Sequence, residues 1–364
     1  MKHIYLDNNA TTAIDPRVLE AMHADSGPYN PSSVHHFGQI ARKLLGQARA
    51  SIAAYFHVKP HELLFTSGAT ESLNMILRGL APTGHIITSN IEHSAIYNTL
   101  QQLPHFEVSY LPAGLRGAVQ PEAIAAAIKP HTRLIILTAA NSETGVKIDL
   151  EAIAALALRH KVPFVVDAVA LLGKEEFQIP AGVSAMVFSG HKIHAPKGIG
   201  LTFLRDGFKV RPLLTGGDQE FSKRAGTENL SGILGLAKAI ELLKEELPTA
   251  VERMRFLTER LIQGVGSIVI NGEGERVSNT VNLSFPGISG EELLMNLDLA
   301  GIAVSHGSAC SSGALEPSRI LINMGIPHVV ARSSIRFSLS RNTTQEEIDH
   351  TIRVVNELRA RMIA

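Results

Sequence analysis

Apolar residues occur in short, nearly continuous runs that alternate with segments of helical periodicity from about residue 15 to residue 240. The runs predict strands at residues 62–66, 85–88, 106–111, 133–138, 164–167, 185–188 and 200–204. Runs without polar alternation are typical of strands that are buried on both faces. Between them, residues 38–56 repeat apolar positions at the spacing of an amphipathic helix. This alternation predicts an α/β fold, in which helices cover a mainly parallel seven-stranded sheet.

The pattern changes near residues 246–248, where the regular alternation of strands and helices ends. Beyond this point the sequence predicts a new helix at 251–265, strands at 280–284 and 334–338, a helix near 291–299 and a final helix. The final helix opens with a capping-box pattern, Thr344 followed three residues later by Glu347. We expect a large domain at residues 13–245 and a smaller α+β domain at residues 1–12 and 246–364.

The charge balance, the first residues and the apolar runs of the sequence bear on the partners and the location of the protein. The 364 residues include 34 basic and 34 acidic side chains, which gives no support to a nucleic-acid or membrane partner bound through bulk charge. The first residues lack the apolar segment of a signal peptide, and no apolar run is long enough to span a bilayer. We therefore expect a cytoplasmic protein without nucleic-acid or membrane partners.

Cys310 is the only cysteine, which excludes a disulfide framework and a cysteine-rich metal site. The histidines show no ligand spacing with a carboxylate, so we expect no metal. By composition alone, Cys310 fits a small buried side chain better than a reactive thiol. Its surroundings reverse this preference, because residues 307–318 are mostly small or polar, as in an exposed loop. An exposed thiol can ionise and attack.

Two segments that follow predicted strands carry candidate chemistry, because ligands of parallel sheets bind beyond the carboxyl ends of the strands. Residues 67–72 (SGATES) precede a helical segment, and their small side chains leave backbone N–H groups open to a phosphate. An ordinary strand–helix turn is the alternative. Asp167 ends an apolar strand, where its carboxylate pairs either with a pyridinium N–H or with the start of the next helix.

A third segment, residues 189–198, follows the strand at 185–188. Its Lys192 stands beside small residues and can form a Schiff base with an aldehyde, once burial and nearby positive charge free its amine. Ser189 and His191 are placed to reach a phosphate. Lys197 is the rival lysine, and we interpret it as a solvated surface charge.

The phosphate loop, the strand-end Asp167 and the Ser-x-His-Lys segment, in this order, resemble the fold-type I pyridoxal-phosphate enzymes. Further motifs resemble those of the NifS/IscS-like cysteine desulfurases, in the class V aminotransferase family. They are LDNNATT at 6–12, NPSS at 30–33, TSGATES at 66–72, EH at 92–93, NSETG at 141–145, RAGT at 224–227, GSAC at 307–310 and SSIRFS at 333–338. They extend over nearly the whole chain and are jointly very specific.

The resemblance implies a role for each matching residue. Lys192 would bind the cofactor and move protons, Asp167 would pair with the pyridine nitrogen, and His93 would stack on the ring. The implied phosphate contacts are Ala69, Thr70, Ser189, His191 and, across a homodimer, Thr227 of the partner subunit. The implied substrate contacts are Asn141, which would also touch the cofactor, Arg336 on the carboxylate, and Asn8 or Asn9.

The implied reaction converts L-cysteine to L-alanine and leaves the sulfur on Cys310 as a persulfide. A sulfur-acceptor protein, such as an iron–sulfur scaffold, would then receive it. Several positions depart from the family pattern, among them Ala170, which stands where a glutamine usually bonds the cofactor's 3-hydroxyl oxygen. Two alternatives remain: a related pyridoxal-phosphate lyase or aminotransferase that does not use Cys310, and a weakly active binding homologue.

Overall fold

Seven strands form one sheet at the centre of the larger part of the protein. The structure is a computed structural model and describes residues 3–80, 83–306 and 317–363. The strands of the described chain are β1 Ile4–Tyr5, β2 Leu63–Thr66, β3 Gly84–Ser89, β4 Phe106–Leu111, β5 Thr132–Thr138, β6 Phe164–Asp167, β7 Ala185–Ser189, β8 Gly200–Leu204, β9 Val269–Ile270, β10 Thr280–Ser284, β11 Ile302–Ala303 and β12 Ser334–Ser338. The helices are α1 Pro16–Met22, α2 His36–Phe56, α3 Ala69–Arg78, α4 Ser94–Gln101, α5 Pro121–Ala127, α6 Leu150–His160, α7 Gln219–Ser222, α8 Leu230–Gly264, α9 Gly290–Leu299, α10 Arg319–Asn323, α11 His328–Arg332 and α12 Gln345–Ile363. Single 3₁₀ turns occupy Pro60–Glu62 and Gly190–Lys192.

The central sheet has the strand order β2-β8-β7-β6-β5-β3-β4. Neighbours from β7 to β4 pair in parallel, whereas β8 runs antiparallel to both β7 and β2. Alternate residues of β6 enter different cores: Phe164 and Val166 pack on one face of the sheet and Val165 on the other. The predicted α/β fold with a mainly parallel seven-stranded sheet is confirmed, and the carboxyl ends of β5, β6 and β7 meet at one edge.

The smaller part has a sheet of its own, β12-β10-β9, with antiparallel neighbours, and a separate parallel pair, β1-β11. A second hydrophobic core lies here and includes Leu6, Leu283 and Phe337. The beginning of the chain is tied to this part, because Leu6 O accepts a hydrogen bond from Ser338 N at 2.7 Å. The predicted domain bounds, residues 13–245 against 1–12 and 246–364, stay a prediction.

Helix α8 crosses the point at which the sequence predicts a break followed by a new helix at 251–265. It is 35 residues long and contains Pro248 in its interior. Leu247 packs in the core of the larger part, whereas Ala250 packs in that of the smaller part. Burial on both sides of the proline keeps the helix continuous, although Pro248 lacks the N–H of a regular helical turn. The predicted start of a helix after residue 248 is therefore wrong.

Helix α7 is a strained left-handed turn, in which Glu220, Phe221 and Ser222 have φ angles of 48°, 60° and 60°. Such a conformation costs a residue other than glycine about 1–2 kcal/mol. Arg49 of α2 holds the turn through a buried ion pair with Glu220, and its guanidinium lies 5.1 Å from the ring centre of Phe221. The turn is followed by the segment that contains Thr227. Arg49 therefore fixes the position at which that segment begins.

None of the described helices combines the length and the apolar character that a membrane-crossing helix needs.

Candidate active site

A cavity of about 670 Å³ lies at the edge of the central sheet where β5, β6 and β7 end. The last residues of these strands, Thr138, Asp167 and Ser189, all line it. The predicted site residues that line it are Asn8, Asn9, Ala69, Thr70, His93, Asp167, Ser189, His191, Lys192 and Arg336. Folding therefore brings the three strand-end segments and the motifs near both ends of the chain to one place.

The N-terminus of α3 forms one end of the cavity. Gly68 precedes the helix and provides no side-chain cap, so the first N–H groups of α3 stay open. A Cβ on Gly68 would lie 3.9 Å from Ser189 Oγ, which places this hydroxyl beside the helix terminus. Gly200 of β8 packs so closely that a Cβ there would lie 2.5 Å from Gly68 Cα. Open N–H groups and the helix dipole favour an anion here.

His191 lines the same end of the cavity and is uncharged at neutral pH. Burial and the neighbouring charge of Lys192 lower the pKa of His191 to about 4. Its Nδ1 shares a hydrogen bond of 3.1 Å with Thr11 Oγ1. A neutral imidazole has one N–H, so His191 contributes at most one hydrogen bond to an anion.

Asp167 places a buried carboxyl group on the cavity wall, with about 4% of the residue exposed. Its Oδ1 accepts a hydrogen bond from Val169 N at 3.0 Å. Burial raises the pKa of Asp167, while the charges of His93 and Lys192 act in the opposite direction. Within the described residues its Oδ2 has no hydrogen-bond donor, so a cationic N–H in the cavity would offset the cost of burying this charge.

The side chain of Lys192 is held by the beginning of the chain. Its Nζ donates hydrogen bonds to the main-chain oxygens of Asn9 and Ala10, the latter at 2.8 Å. Thr12 fixes the same turn, because its N and its Oγ1 both donate to His191 O, each at 2.9 Å. These bonds orient the amine at the cavity wall.

The ring of His93 is exposed on the cavity wall, where Nδ1 accepts a hydrogen bond from Ala95 N at 3.1 Å as the cap of α4. This bond leaves the proton of the neutral ring on Nε2. The preceding Glu92 is buried and accepts bonds from Ser89 Oγ at 2.5 Å and from Thr138 N at 2.8 Å. Burial, supported by the charge of Asp167, raises the pKa of Glu92 to about 7.

Arg336 of β12 lies at the other end of the cavity and is about 3% exposed. Its Nη2 donates to Asp7 Oδ1 at 2.6 Å, and its Nη1 donates to Ser142 O at 3.1 Å. The buried Nε has no hydrogen-bond partner in the described part of the chain. A guanidinium group on the wall of a cavity fits a carboxylate ligand.

The amides of Asn8 and Asn9 line the cavity but are already engaged in bonds within the protein. Asn8 Nδ2 donates to Ser338 O at 2.9 Å, and Asn9 Nδ2 donates to Thr280 Oγ1 at 2.8 Å. Both residues thus connect the site to the sheet of the smaller part. Their predicted contact with substrate stays a prediction.

Two predicted site residues in the described part of the chain, Asn141 and Thr227, do not line the cavity. Asn141 is buried beside it: its Oδ1 accepts from Glu143 N at 2.9 Å, and only its neighbours in sequence line the cavity. Thr227 is exposed and away from the cavity. Cys310 lies outside the described residues. The roles of these three residues stay predictions.

Sequence reasoning missed Lys174 and the part played by Glu92. Both are buried and adjoin the site, and Lys174 lines the cavity in the turn after β6, as does Ala170. Nothing in the local sequence distinguishes Lys174 from the other basic residues. The described chain contains no group of three or more His, Cys, Asp or Glu residues that would suit a metal ion.

A sequence model of the aminotransferase class-V family matches residues 4–351. Cysteine desulfurase IscS of Dictyoglomus turgidum is 39% identical over 98% of this chain and 94% of its own length. A cysteine desulfurase of Nostoc sp. is 41% identical over 100% of this chain and 94% of its own. A solved NifS-like protein superposes with a TM-score of 0.91, at 36% identity over 99% of this chain and 100% of that one.

The NifS-like protein of Rickettsia africae is also similar, with a TM-score of 0.88 and 32% identity over 99% of this chain and 100% of that chain. The cofactor of this family is pyridoxal phosphate. The residues present fit it: the open terminus of α3 would hold its phosphate, the buried carboxyl of Asp167 would pair with its ring nitrogen, and Lys192 lines the same cavity. The chain belongs to the aminotransferase class-V family and, within it, to the cysteine desulfurases.

Proposed function

We propose that this protein uses pyridoxal phosphate to convert L-cysteine to L-alanine, and that the sulfur moves to Cys310 as a persulfide for delivery to an acceptor protein. The observation that carries the proposal is one cavity that is lined by Lys192, the buried Asp167 and Arg336. The open terminus of α3 adds the anion site that the cofactor phosphate needs.

Substrate binding would begin with the carboxylate of L-cysteine, which the guanidinium group of Arg336 on the cavity wall would receive. The hydrogen bond to Asp7 and the bond to Ser142 O hold the guanidinium plane in place, so little side-chain freedom is lost on binding. This contact fixes the α-carbon of the amino acid relative to Lys192. The arrangement selects an α-amino acid rather than a simple thiol.

Proton transfer is the task of Lys192. Pyridoxal phosphate would supply an electron sink for the α-carbon. Lys192 Nζ would remove the α-proton and return a proton on the same side of the cavity, while the oxygens of Asn9 and Ala10 orient the amine. A charged Asp167 would favour a protonated ring nitrogen, because burial without a cation is costly for its carboxylate.

Sulfur transfer requires a nucleophile, and Cys310 is the only thiol in the chain. Its thiolate attacks the substrate sulfur and forms an S–S bond, while the C–S bond of cysteine breaks. The electron pair of that bond stays on the β-carbon, which takes up one proton to become the methyl group of alanine. The sulfur is thereby oxidised and the carbon reduced, so no further oxidant is needed. A persulfide on Cys310 remains.

We further propose a cytoplasmic homodimer that passes its sulfur to an iron–sulfur scaffold protein. The exposed position of Thr227, outside the cavity of its own chain, supports a role toward the cofactor phosphate of the partner subunit. Sedimentation of the purified protein tests the dimer. A mixed dimer of the Thr227→Ala and Lys192→Ala chains tests the shared site, because only one of its two cavities would be intact.

The central experiment measures alanine and sulfide released from L-cysteine in the presence of a reductant, together with the visible absorbance of the protein. Mass spectrometry follows the gain of one sulfur atom on Cys310, which is unambiguous in a chain with one cysteine. Wild type should form alanine and the persulfide, and Cys310→Ala should keep the cofactor absorbance but lose most alanine formation.

A Ser267→Ala variant is a matched control, since this surface turn lies away from the cavity. Equal alanine formation by wild type and Cys310→Ala would refute the role of Cys310 and favour the lyase or aminotransferase alternative. A protein that never acquires the cofactor absorbance would refute the whole proposal. Normal turnover by wild type would show that Ala170 is tolerated at the position of the family's glutamine.

A further inference from the structure

Lys174 is a second lysine on the wall of the cavity, four residues after Ala170. The residue is about 3% exposed, and its Nζ donates a hydrogen bond to the main-chain oxygen of Lys192 at 3.0 Å. Both main-chain groups of Lys174 are hydrogen-bonded. Its N–H donates to Leu171 O at 3.0 Å, and its C=O accepts from Ser278 Oγ at 2.6 Å. The side chain therefore has a defined course from the turn after β6 to the Lys192 turn.

A buried ammonium group is costly unless a carboxylate neutralises it. In the described part of the chain, Lys174 forms no salt bridge. The charged and titratable groups around it are Lys192 in the 3₁₀ turn, His194 after it, Arg341 after β12 and Glu246 of α8, which is itself paired with Arg341. Packing alone does not explain why a lysine occupies this place, since an apolar side chain would avoid the cost.

Burial, together with the charges of Lys192 and Arg341, lowers the pKa of Lys174 to about 8. The amine is therefore still charged at neutral pH and loses its charge in mildly alkaline solution. While it is charged, Lys174 and Lys192 place two positive groups on the wall of one cavity. Each such charge disfavours a proton on the other, which is one of the ways in which proteins free a lysine amine for reaction with an aldehyde.

We propose that Lys174 is a positioning residue for Lys192: its ammonium group holds the Lys192 carbonyl and places a second positive charge beside the Lys192 amine. This inference rests on the proposed function, because it concerns the lysine that binds the cofactor. The hydrogen bond sets the direction of the Lys192 side chain. The charge keeps the nitrogen of Lys192 uncharged at a lower pH than it would be alone.

The test is a pH titration of the visible absorbance of the holoenzyme, which reports the protonation of the Lys192 nitrogen. Lys174→Met removes charge and hydrogen bond, Lys174→Gln keeps a donor without charge, and Lys174→Arg keeps the charge. Met and Gln should raise the midpoint by about one pH unit, a tenfold change in proton affinity, whereas Arg should stay near wild type. Lys197→Met removes an exposed lysine from the rim of the same cavity and should shift the midpoint far less.

An unchanged midpoint in both Met and Gln would overturn the inference, as would an equal shift in all three variants, which would point to altered geometry rather than charge. A shift in Lys197→Met as large as that in Lys174→Met would overturn it too. Alanine formation by wild type distinguishes a failure of the inference on Lys174 from a failure of the proposed function. If wild type binds the cofactor and forms alanine but the Lys174 variants titrate normally, only this inference fails; without cofactor absorbance in wild type, the proposed function fails with it.

Discussion

Replacing Glu92 with glutamine tests the electrostatics at the strand ends beside the site. In the folded protein the pKa of Glu92 is about 7, against an ordinary value of 4.5, because the group is buried near Asp167. A carboxyl group with a raised pKa contributes stability below about pH 4.5 that is lost as the pH rises through 7. The difference of roughly 2.5 pKa units corresponds to about 3 kcal/mol.

Glutamine has nearly the same shape and can keep the existing contacts, with its oxygen accepting from Thr138 N and its amide donating to Ser89 Oγ. Glu92→Gln should therefore gain stability over wild type as the pH rises from 5 to 8, by about 3 kcal/mol or roughly 4 °C in the melting temperature. The assay is thermal unfolding of both cofactor-saturated proteins across this range. The difference between the melting temperatures of the two proteins reports on Glu92, because Asp167 is present in both.

Glu259→Gln is the matched control, since Glu259 is an exposed residue of α8, and its curve should run parallel to that of wild type. Parallel curves for Glu92→Gln and wild type from pH 5 to 8 would refute the reasoning, because they would mean that Glu92 has an ordinary pKa in the folded protein. A Glu92→Gln variant that becomes less stable than wild type as the pH rises would refute the reasoning as well.

Three further variants test separate parts of the site and fold. Arg336→Lys loses the planar fork and should raise KM for L-cysteine about 10- to 100-fold while the cofactor absorbance persists; an unchanged KM would exclude Arg336 from the carboxylate contact. Asp167→Asn removes the charge that favours a protonated ring nitrogen and should lower kcat about 10- to 100-fold, and a kcat equal to wild type would contradict this role. Arg49→Met leaves Glu220 buried without its partner and should destabilise the fold by about 3–5 kcal/mol in thermal or urea unfolding; a loss well below 1 kcal/mol would show that the ion pair does not hold the strained turn.

Much of the fold follows from local patterns in the sequence. Strands β4, β6 and β8 begin and end where the apolar runs do, and β6 and β8 are buried from end to end. The predicted capping box at the start of α12 is confirmed: Glu347 N donates to Thr344 Oγ1 at 3.3 Å, and Thr344 N donates to Glu347 Oε2 at 3.1 Å. Strands of two residues, such as β9 and β11, escaped prediction because they are too short to show a period.

The candidate site likewise contains residues that the sequence predicts and residues that it does not. Asp167 and Lys192 follow apolar runs, so the rule that ligands bind beyond strand ends was enough to find them. Lys174 was missed because its burial depends on Ser278 and the Lys192 turn, which are distant in sequence. Asn141 was expected at the cavity from its motif alone, whereas hydrogen bonds within its own turn keep its side chain beside it.

The attachment of the first residues to distant segments has a consequence for synthesis. Asn9 and Ala10 bind the amine of Lys192, while Leu6 is bound to Ser338, more than three hundred residues away. A nascent chain therefore exposes its lysine amine and buries its sheet well before the segment that orients the amine has a partner. Contacts of such long range form late. Nearly the whole polypeptide must therefore be made before residues 6–10 can take their final position beside Lys192.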